Sequence, residues 1–478
     1  MDYCQFIAGE FRSGTSQTRF TVINPADGTP LGAYAYAAAA DVDEAIRAAA
    51  GTFRTWRRTP VTERSALLRR VAALMRERST LLAQQITREL GKPLAEAHKE
   101  VGTAAEMFEW ASEEARRLYG RTIPARAERA TQTVLWEPIG PVAAFAGWNA
   151  PAITPARKIS GALAAGCTIV IKPSEETAGV ALVMARILKD AGIPDGVVNM
   201  VFGDPAGIAD QLCTAPDIAM VTFTGATSIG KALGAKAALT MKRAVLELGG
   251  HAPVIVCDDV DVDRVVSGAV AAKYRNAGQV CTSPTRFLVQ RSIYQEFSEK
   301  FVKAAAALKV GDPLDAATQM GPLKNARRRE AIEAIVRDAR ARGLDIAAGG
   351  ERIEGAGYFF QPTVILQPSA DSDAARIEPF GPVALISAFD TLDDAIEEAN
   401  RLPFGLAAYG FTDHMGRAHR LAHEIESGVV SINDWQASLP ETPFGGCKDS
   451  GLGVEGGIEG VREFLRLKCV RQLAGTAE

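Results

Sequence analysis

The sequence predicts an α/β protein built on covered, mostly parallel sheets. Strict alternation of short apolar runs with helical runs begins near residue 150 and continues to residue 248. A second alternating series runs from residue 254 to residue 432. The length of 478 residues exceeds what one core organises, so two or three domains are expected.

Ahead of the first series, short apolar runs broken by Pro25, Gly28 and Gly32 read as small strands and turns. Asp41-Val-Asp-Glu44 has the pattern of a capping box and opens a helix through Ala50. Apolar spacing predicts one helix over 62–89, ended by Gly91, and another over 93–118 with Pro93 in its first turn. Segments 131–137 and 142–146 flank Pro138-Ile-Gly140 and predict a hairpin, an arm outside the main body.

In the first α/β series, strands are expected over 168–171, 197–202, 220–223 and 243–248, with helices over 155–165, 177–191, 205–213 and 228–239. In the second, strands are expected over 254–256, 286–290, 363–366, 383–389 and 429–432. Its helices cover 262–277, 293–308, 325–342, 392–400 and 415–425. The glycine-rich stretch 445–460 reads as a structured loop. Ligands of such sheets sit beyond the C-terminal strand ends, and Lys172, Gly225 and Glu247 lie at or near such ends.

Composition narrows the function classes. Net charge is −4 with no long block of either sign, so a nucleic-acid partner is not expected. No stretch of about 18 apolar residues without charge occurs, so no membrane span is expected. The N-terminal stretch lacks the pattern of a secretory signal, and cytoplasm is the default expectation. Seven scattered cysteines without CxxC spacing fit a reducing compartment. His419 and His423 are four apart but have no acid or cysteine at a recognised ligand spacing, so no metal site is expected.

Among the seven thiols, Cys167, Cys213 and Cys257 lie in apolar settings, where an inert buried thiol is the ordinary case. Cys4, Cys447 and Cys469 carry little signal. Cys281 lies in Asn276-Ala-Gly-Gln-Val-Cys-Thr-Ser283, a small, polar stretch after a helix that permits close approach of a ligand. Residue chemistry alone leaves a structural and a nucleophilic Cys281 level. Glu247 ends an apolar strand before Leu248-Gly249-Gly250. It serves as a cap or ion-pair partner, or faces a crevice as a base; taken alone, the former account is slightly stronger. Gly225-Ala-Thr-Ser228-Ile-Gly230 joins a strand to a helix, where free N–H groups attract phosphate, although the spacing is not GxGxxG and an ordinary turn fits equally. Lys172 is either solvated or meets a diphosphate or ribose. Asn149 can donate to a developing oxyanion, but before Pro151 a turn-forming Asn is, by itself, the stronger reading.

Together these segments resemble the aldehyde dehydrogenase superfamily over nearly the whole chain, from about Phe6 to Lys468. Glu247-Leu-Gly-Gly250 and Gly278-Gln-Val-Cys281 are specific motifs, 34 residues separating Glu247 from Cys281. Glu378-Pro-Phe-Gly-Pro382 and Pro443-Phe-Gly-Gly446 add weight. The resemblance implies two Rossmann-like α/β domains plus a small β oligomerisation extension. An NAD-binding domain would span 1–125 and 147–248, a catalytic domain 249–445, and the extension with a closing C-terminal segment 126–146 and 446–478. A homodimer or homotetramer is implied.

It also implies residue roles. Cys281 would attack a small-molecule aldehyde as thiolate, with the Asn149 amide and the Cys281 N–H stabilising the oxyanion. Glu247 would activate water to release the acid, and Glu455 matches a glutamate assigned to proton relay. Trp148, Lys172, Glu175, Gly225, Ser228, Glu378 and Phe380 match cofactor-binding positions. Glu175 would hold the ribose hydroxyls and repel a 2′-phosphate, so NAD is favoured and NADP less so. Gly147, Ala226, Pro379 and Val454 depart from the usual residues, and Val454, beside Glu455, weakens the transfer of that role. Lys273-Tyr-Arg-Asn-Ala-Gly-Gln-Val-Cys281 looks like the succinate-semialdehyde branch, in which Arg157 and Arg275 match arginines that bind a distal carboxylate. Either arginine pairing with a nearby acid is the competing account. A carboxylate-bearing semialdehyde such as succinate semialdehyde is the expected substrate. A general aliphatic or aromatic aldehyde is the alternative, followed by a CoA-acylating enzyme and a non-catalytic paralogue of the fold.

Overall fold

The computed structural model describes residues 3–474; residues 1–2 and 475–478, the outer ends of the first and last expected segments, lie outside the described residues. An eight-stranded sheet runs in the order Glu10–Arg12, Gln5–Ile7, Val198–Met200, Ile169–Lys172, Val142–Phe145, Met220–Thr224, Arg243–Glu247, Gly451–Leu452. Its five central strands pair in parallel. Side chains alternate between faces, and both faces are covered, as a parallel sheet requires. Val142 and Ala144 enter the core shared with helices Val61–Glu77, Leu94–Ala115 and Ile153–Ala165. Ala143 and Phe145 enter the opposite core, with Ala39–Trp56, Pro205–Thr214 and Thr227–Leu239.

The second sheet has seven strands in the order Asp345–Ala348, Thr363–Leu366, Val383–Phe389, Pro284–Gln290, Ala252–Val256, Ala407–Phe411, Val429–Ile432. Val254 and Val256 face one core and Ile255 the other, which is why this strand reads as an unbroken apolar run. A third, antiparallel sheet of Leu465–Leu473, Ala130–Pro138 and Arg121–Ile123 is joined to neither of the larger sheets. Two Rossmann-like units and a small β extension are thus present. Among the described residues no helix is long and apolar enough to cross a membrane.

Several local expectations are corrected. The hairpin over 131–146 does not form. Ala130–Pro138 pairs with the C-terminal strand, while Val142–Phe145 is a central strand of the first sheet, because its residues are apolar on both faces. Residues 142–146 therefore do not belong to the extension. Nor does all of 446–478: Gly451–Leu452 pairs beside Leu246 and Glu247 in the first sheet, and helix Gly457–Glu463 begins inside the stretch read as loop and runs past its end. The first helix begins at Ala39, not at Asp41. Asp41 is its third residue, and its carboxylate reaches back to the Ala38 N–H at 2.9 Å. The helix expected over 62–89 is two, Val61–Glu77 and Ser79–Leu90. Gly91 ends the second at φ +82°, a left-handed cap that glycine adopts without a Cβ penalty.

Candidate active site

Glu247 is the last residue of strand Arg243–Glu247, and its carbonyl accepts the Gly225 N–H at 3.0 Å. Its side chain is 4% exposed, and Oε1 has no hydrogen-bond partner. Burial, followed by the charge of Glu455, pushes its pKa up to about 7. The Cys281 thiol is the next group that acts on it, and lowers it. Burial, then the Glu247 carboxylate, push that thiol well above its ordinary value. At rest the pair therefore holds a proton on sulfur beside a carboxylate able to take it near neutral pH.

The Cys281 loop is set by a tight turn. Asn276, Ala277 and Gly278 are all left-handed, at φ +50°, +53° and +72°. A Cβ at Gly278 would lie 2.1 Å from the Gly381 carbonyl oxygen, so only glycine fits. The turn is held from outside: Glu96 accepts the Asn276 N–H at 2.9 Å, and the fully buried Gln279 bonds the Asn276 carbonyl at 3.0 Å and the Lys324 N–H at 2.9 Å. Asn149 Nδ2 donates to the Gln279 carbonyl at 3.2 Å, and the Asn149 carbonyl accepts from Asn276 Nδ2 at 3.1 Å. This reciprocal pairing brings the amide to the Cys281 loop. Helix Ile153–Ala165 follows Asn149, and Glu100 caps its start through the Ala152 N–H at 2.8 Å.

Glu455 is 7% exposed, with Oε1 2.5 Å from the fully buried Lys158 ammonium, which also donates to Thr222 Oγ1 at 2.9 Å. Backbone bonds pair Glu455 with Phe444. Arg157 stacks over the Phe444 ring at 4.6 Å, donates to Ser438 Oγ at 2.6 Å and faces Glu455 Oε2 at 3.9 Å. Its Nε has no partner. Arg157 thus does meet a nearby acid, loosely, and still acts electrostatically on Glu247 and Cys281. Arg275 is exposed at the end of helix Val262–Tyr274 and makes no hydrogen bond or ion pair among the described residues. The structure gathers Cys281, Glu247, Asn149, Glu455 and Arg157 but shows no contact between Arg275 and Arg157.

Two of the residues expected to hold a cofactor, Lys172 and Gly225, lie at the C-terminal ends of strands of the first sheet. Helix Thr227–Leu239 starts at Ala226 without a side-chain cap, and Ser228 in its first turn is exposed, so its N–H groups are open to phosphate. Gly225 precedes it; a Cβ there would meet the Phe223 ring at 2.7 Å. Lys172 ends strand Ile169–Lys172 and pairs with Glu175 at 2.6 Å, in a turn capped by Ser174. Trp148 and Phe380 meet edge-on at 5.6 Å, with Arg328 5.7 Å from the Phe380 ring centroid. The Glu378 carboxylate lies against Gly249, where a Cβ would be 2.5 Å from Oε2.

Sequence reasoning missed Lys158, Ser438 and Gln279. Lys158 offered one signal, a lysine beside Arg157 in a helix whose remaining residues are small or apolar apart from Thr154 and Ser160. Ser438 offered none, since its partner is 281 residues away.

The aldehyde dehydrogenase family model matches residues 11–470. The chain belongs to the aldehyde dehydrogenase family. This aldehyde dehydrogenase is 44% identical over 468 residues to a putative 4-(hydroxymethyl)benzenesulfonate dehydrogenase of Comamonas testosteroni, covering 98% of each chain. It is 43% identical to a probable NADP-dependent succinate-semialdehyde dehydrogenase of Sinorhizobium fredii, covering 95% of this chain and 93% of that one. A solved succinate-semialdehyde dehydrogenase from Burkholderia pseudomallei superposes with a TM-score of 0.97 at 40% identity, covering 99% of this chain and 98% of that one. The protein is an NAD(P)-dependent aldehyde dehydrogenase, closely related to the succinate-semialdehyde branch.

Proposed function

We propose that this aldehyde dehydrogenase oxidises a carboxylate-bearing semialdehyde such as succinate semialdehyde, with Cys281 as nucleophile. The thiol passes its proton to Glu247, and the sulfur attacks the carbonyl carbon. The Asn149 amide and the Cys281 N–H donate to the oxyanion of the thiohemiacetal. NAD(P), when bound, supplies the hydride acceptor, held through Lys172, Glu175, the N–H groups at Gly225 and Ser228, Trp148, Glu378 and Phe380. Glu247 gives that proton up to solvent, then takes a proton from water as it attacks the acyl-enzyme and returns it to the Cys281 sulfur as the acid leaves, restoring the thiol. Glu455 and Lys158 hold a buried charge pair that tunes Glu247.

The observation that supports an anionic substrate is Arg157. Its side chain is 9% exposed, its nearest carboxylate is 3.9 Å away, and Nε is unused. A distal carboxylate would complete it, with Ser438 as a second donor and Arg275 at the outer end. A sulfonate-bearing aldehyde is the second reading, favoured by the name of the Comamonas testosteroni relative. Comparing kcat/KM for succinate semialdehyde, butanal and a sulfonated aldehyde, in wild type and R157A, tests both. Preference for one anionic substrate, lost in R157A, supports the corresponding reading. Equal values for butanal and the anionic aldehydes in wild type, with no loss in R157A, refute both.

We also propose NAD as the preferred cofactor, from Glu175, and a homodimer or homotetramer assembled through the small antiparallel sheet. That sheet leaves Leu135, Leu467 and Leu473 exposed. Light scattering after gel filtration tests the assembly, and a monomer would contradict it.

A further inference from the structure

Glu175 and Glu176 are neighbours in the turn between strand Ile169–Lys172 and helix Ala178–Asp190, and their side chains serve different partners. Glu175 pairs with Lys172 at the end of that strand. Glu176 reaches the other unit. Its Oε2 accepts Asn325 Nδ2 at 2.8 Å and its Oε1 accepts Arg327 Nη2 at 3.2 Å. Arg327 is largely exposed, so that pairing is weak and the Asn325 amide is the main partner. Asn325 heads helix Ala326–Ala341, whose Ile332, Ile335 and Val336 lie in the core of the second sheet.

The Asn325 amide works at both ends. While Nδ2 holds Glu176, Oδ1 accepts the Arg328 N–H at 2.9 Å and caps the helix. Arg328 in turn donates to the Pro379 carbonyl at 2.8 Å and faces the Phe380 ring. Residues 378–382 abut the nucleophile loop, where a Cβ on Gly278 would strike the Gly381 carbonyl. A short chain of contacts thus runs from the Glu175 turn, through Glu176 and Asn325, to the segment beside Cys281. Lys324 enters the first unit separately, donating to the Glu89 carbonyl at 2.5 Å, so losing Glu176 would free the turn without parting the units.

We infer that Glu176 is a positioning residue for the cofactor, fixing through Asn325 the spacing between the turn that takes the adenosine ribose and the 378–382 segment. The inference rests on the cofactor reading proposed above, with the ribose at Glu175. The hydride-accepting end must reach Cys281, which places it beside Phe380. A dinucleotide that spans both places binds as a chelate, and its affinity depends on how well their separation is held. A ligand confined to one place does not depend on it.

Calorimetric titration with AMP, which carries the adenosine ribose but no nicotinamide, and with NAD+ tests this without turnover. In E176A the Kd for AMP should stay within about twofold of wild type, while that for NAD+ should rise about tenfold. N325D keeps an oxygen to cap the helix but sets a carboxylate against Glu176. It should reproduce the selective loss, and E176A/N325D should be no more than about twofold worse than E176A. Equal loss of AMP and NAD+ affinity, as a distorted Glu175 turn would give, overturns the inference. So does wild-type NAD+ affinity in E176A, an N325D defect that adds in full to E176A, or a wild type that binds NAD+ no more tightly than AMP. E175A tests the underlying reading: unchanged AMP affinity there overturns the ribose contact itself, and the inference with it. If E176A does not fold, N325D decides by the same comparison of AMP with NAD+.

Discussion

Lys158 Nζ and Glu455 Oε1 form a buried ion pair at 2.5 Å, and both charges act on Glu247. Glu455 raises the Glu247 pKa, while Lys158 and Arg157 lower it.

The pH profile follows from that arrangement. Glu247 works as a base when deprotonated, so activity should rise with pH through an inflection near 7. E455Q removes the charge that raises this pKa and leaves the two cations that lower it. The inflection should therefore move to lower pH, by about one unit. E455Q should also destabilise the fold by about 3 kcal/mol, because it leaves Lys158 buried without its counter-ion. An unmoved inflection in a folded E455Q would show that Glu455 does not tune the base.

The left-handed turn before Cys281 should not tolerate a side chain at Gly278. G278A places a Cβ 2.1 Å from the Gly381 carbonyl oxygen at φ +72°. A loss of about 2–4 kcal/mol in denaturant unfolding is expected, with activity reduced further because the nucleophile loop must shift. G343A is a useful control: its φ is +71°, but nothing lies within 4 Å of its Cβ position. It should cost less and leave activity intact.

Much of this was legible along the chain, and the reasons for the rest are physical. Both sheets were visible because strands such as Ala252–Val256 are buried on both faces and read as apolar runs between helices. Glu247 and Cys281 were recognisable from their motifs and order, although Cys281 alone was one thiol among seven. The fate of 131–146 was not legible. Its two runs flank a turn signal, but the second is apolar throughout and is drawn into the central sheet, while the first finds its partner over 300 residues away. Nor was the environment of Arg157 legible: Ser438, Phe444 and Glu455 reach it only through tertiary packing.

Oxyanion stabilisation by Asn149 predicts a kinetic loss with little change in fold. N149A should lower kcat about 10²–10³-fold. Its backbone carbonyl, which accepts from Asn276 and Lys92, is retained. A drop below tenfold, measured by steady-state kinetics, would remove Asn149 from that role.

Cofactor choice should respond to Glu175. Its carboxylate pairs with Lys172 at 2.6 Å. E175Q removes the charge that repels a 2′-phosphate and frees the Lys172 ammonium to meet it. The ratio of kcat/KM for NADP to that for NAD should rise about tenfold or more. An unchanged ratio, or a wild type equally efficient with both, would contradict the assignment.

The central claim is that Cys281 carries the acyl group and Glu247 releases it. Intact-protein and peptide mass spectrometry of E247Q, mixed with NAD+ and succinate semialdehyde and quenched in acid, tests it most directly. E247Q removes the base for the thiol as well as the base for water, so the account predicts NADH formation far slower than in wild type, each NADH accompanied by one succinyl group retained on the peptide containing Cys281. NADH formed at the wild-type steady rate with no adduct, or an adduct on another cysteine, would contradict it.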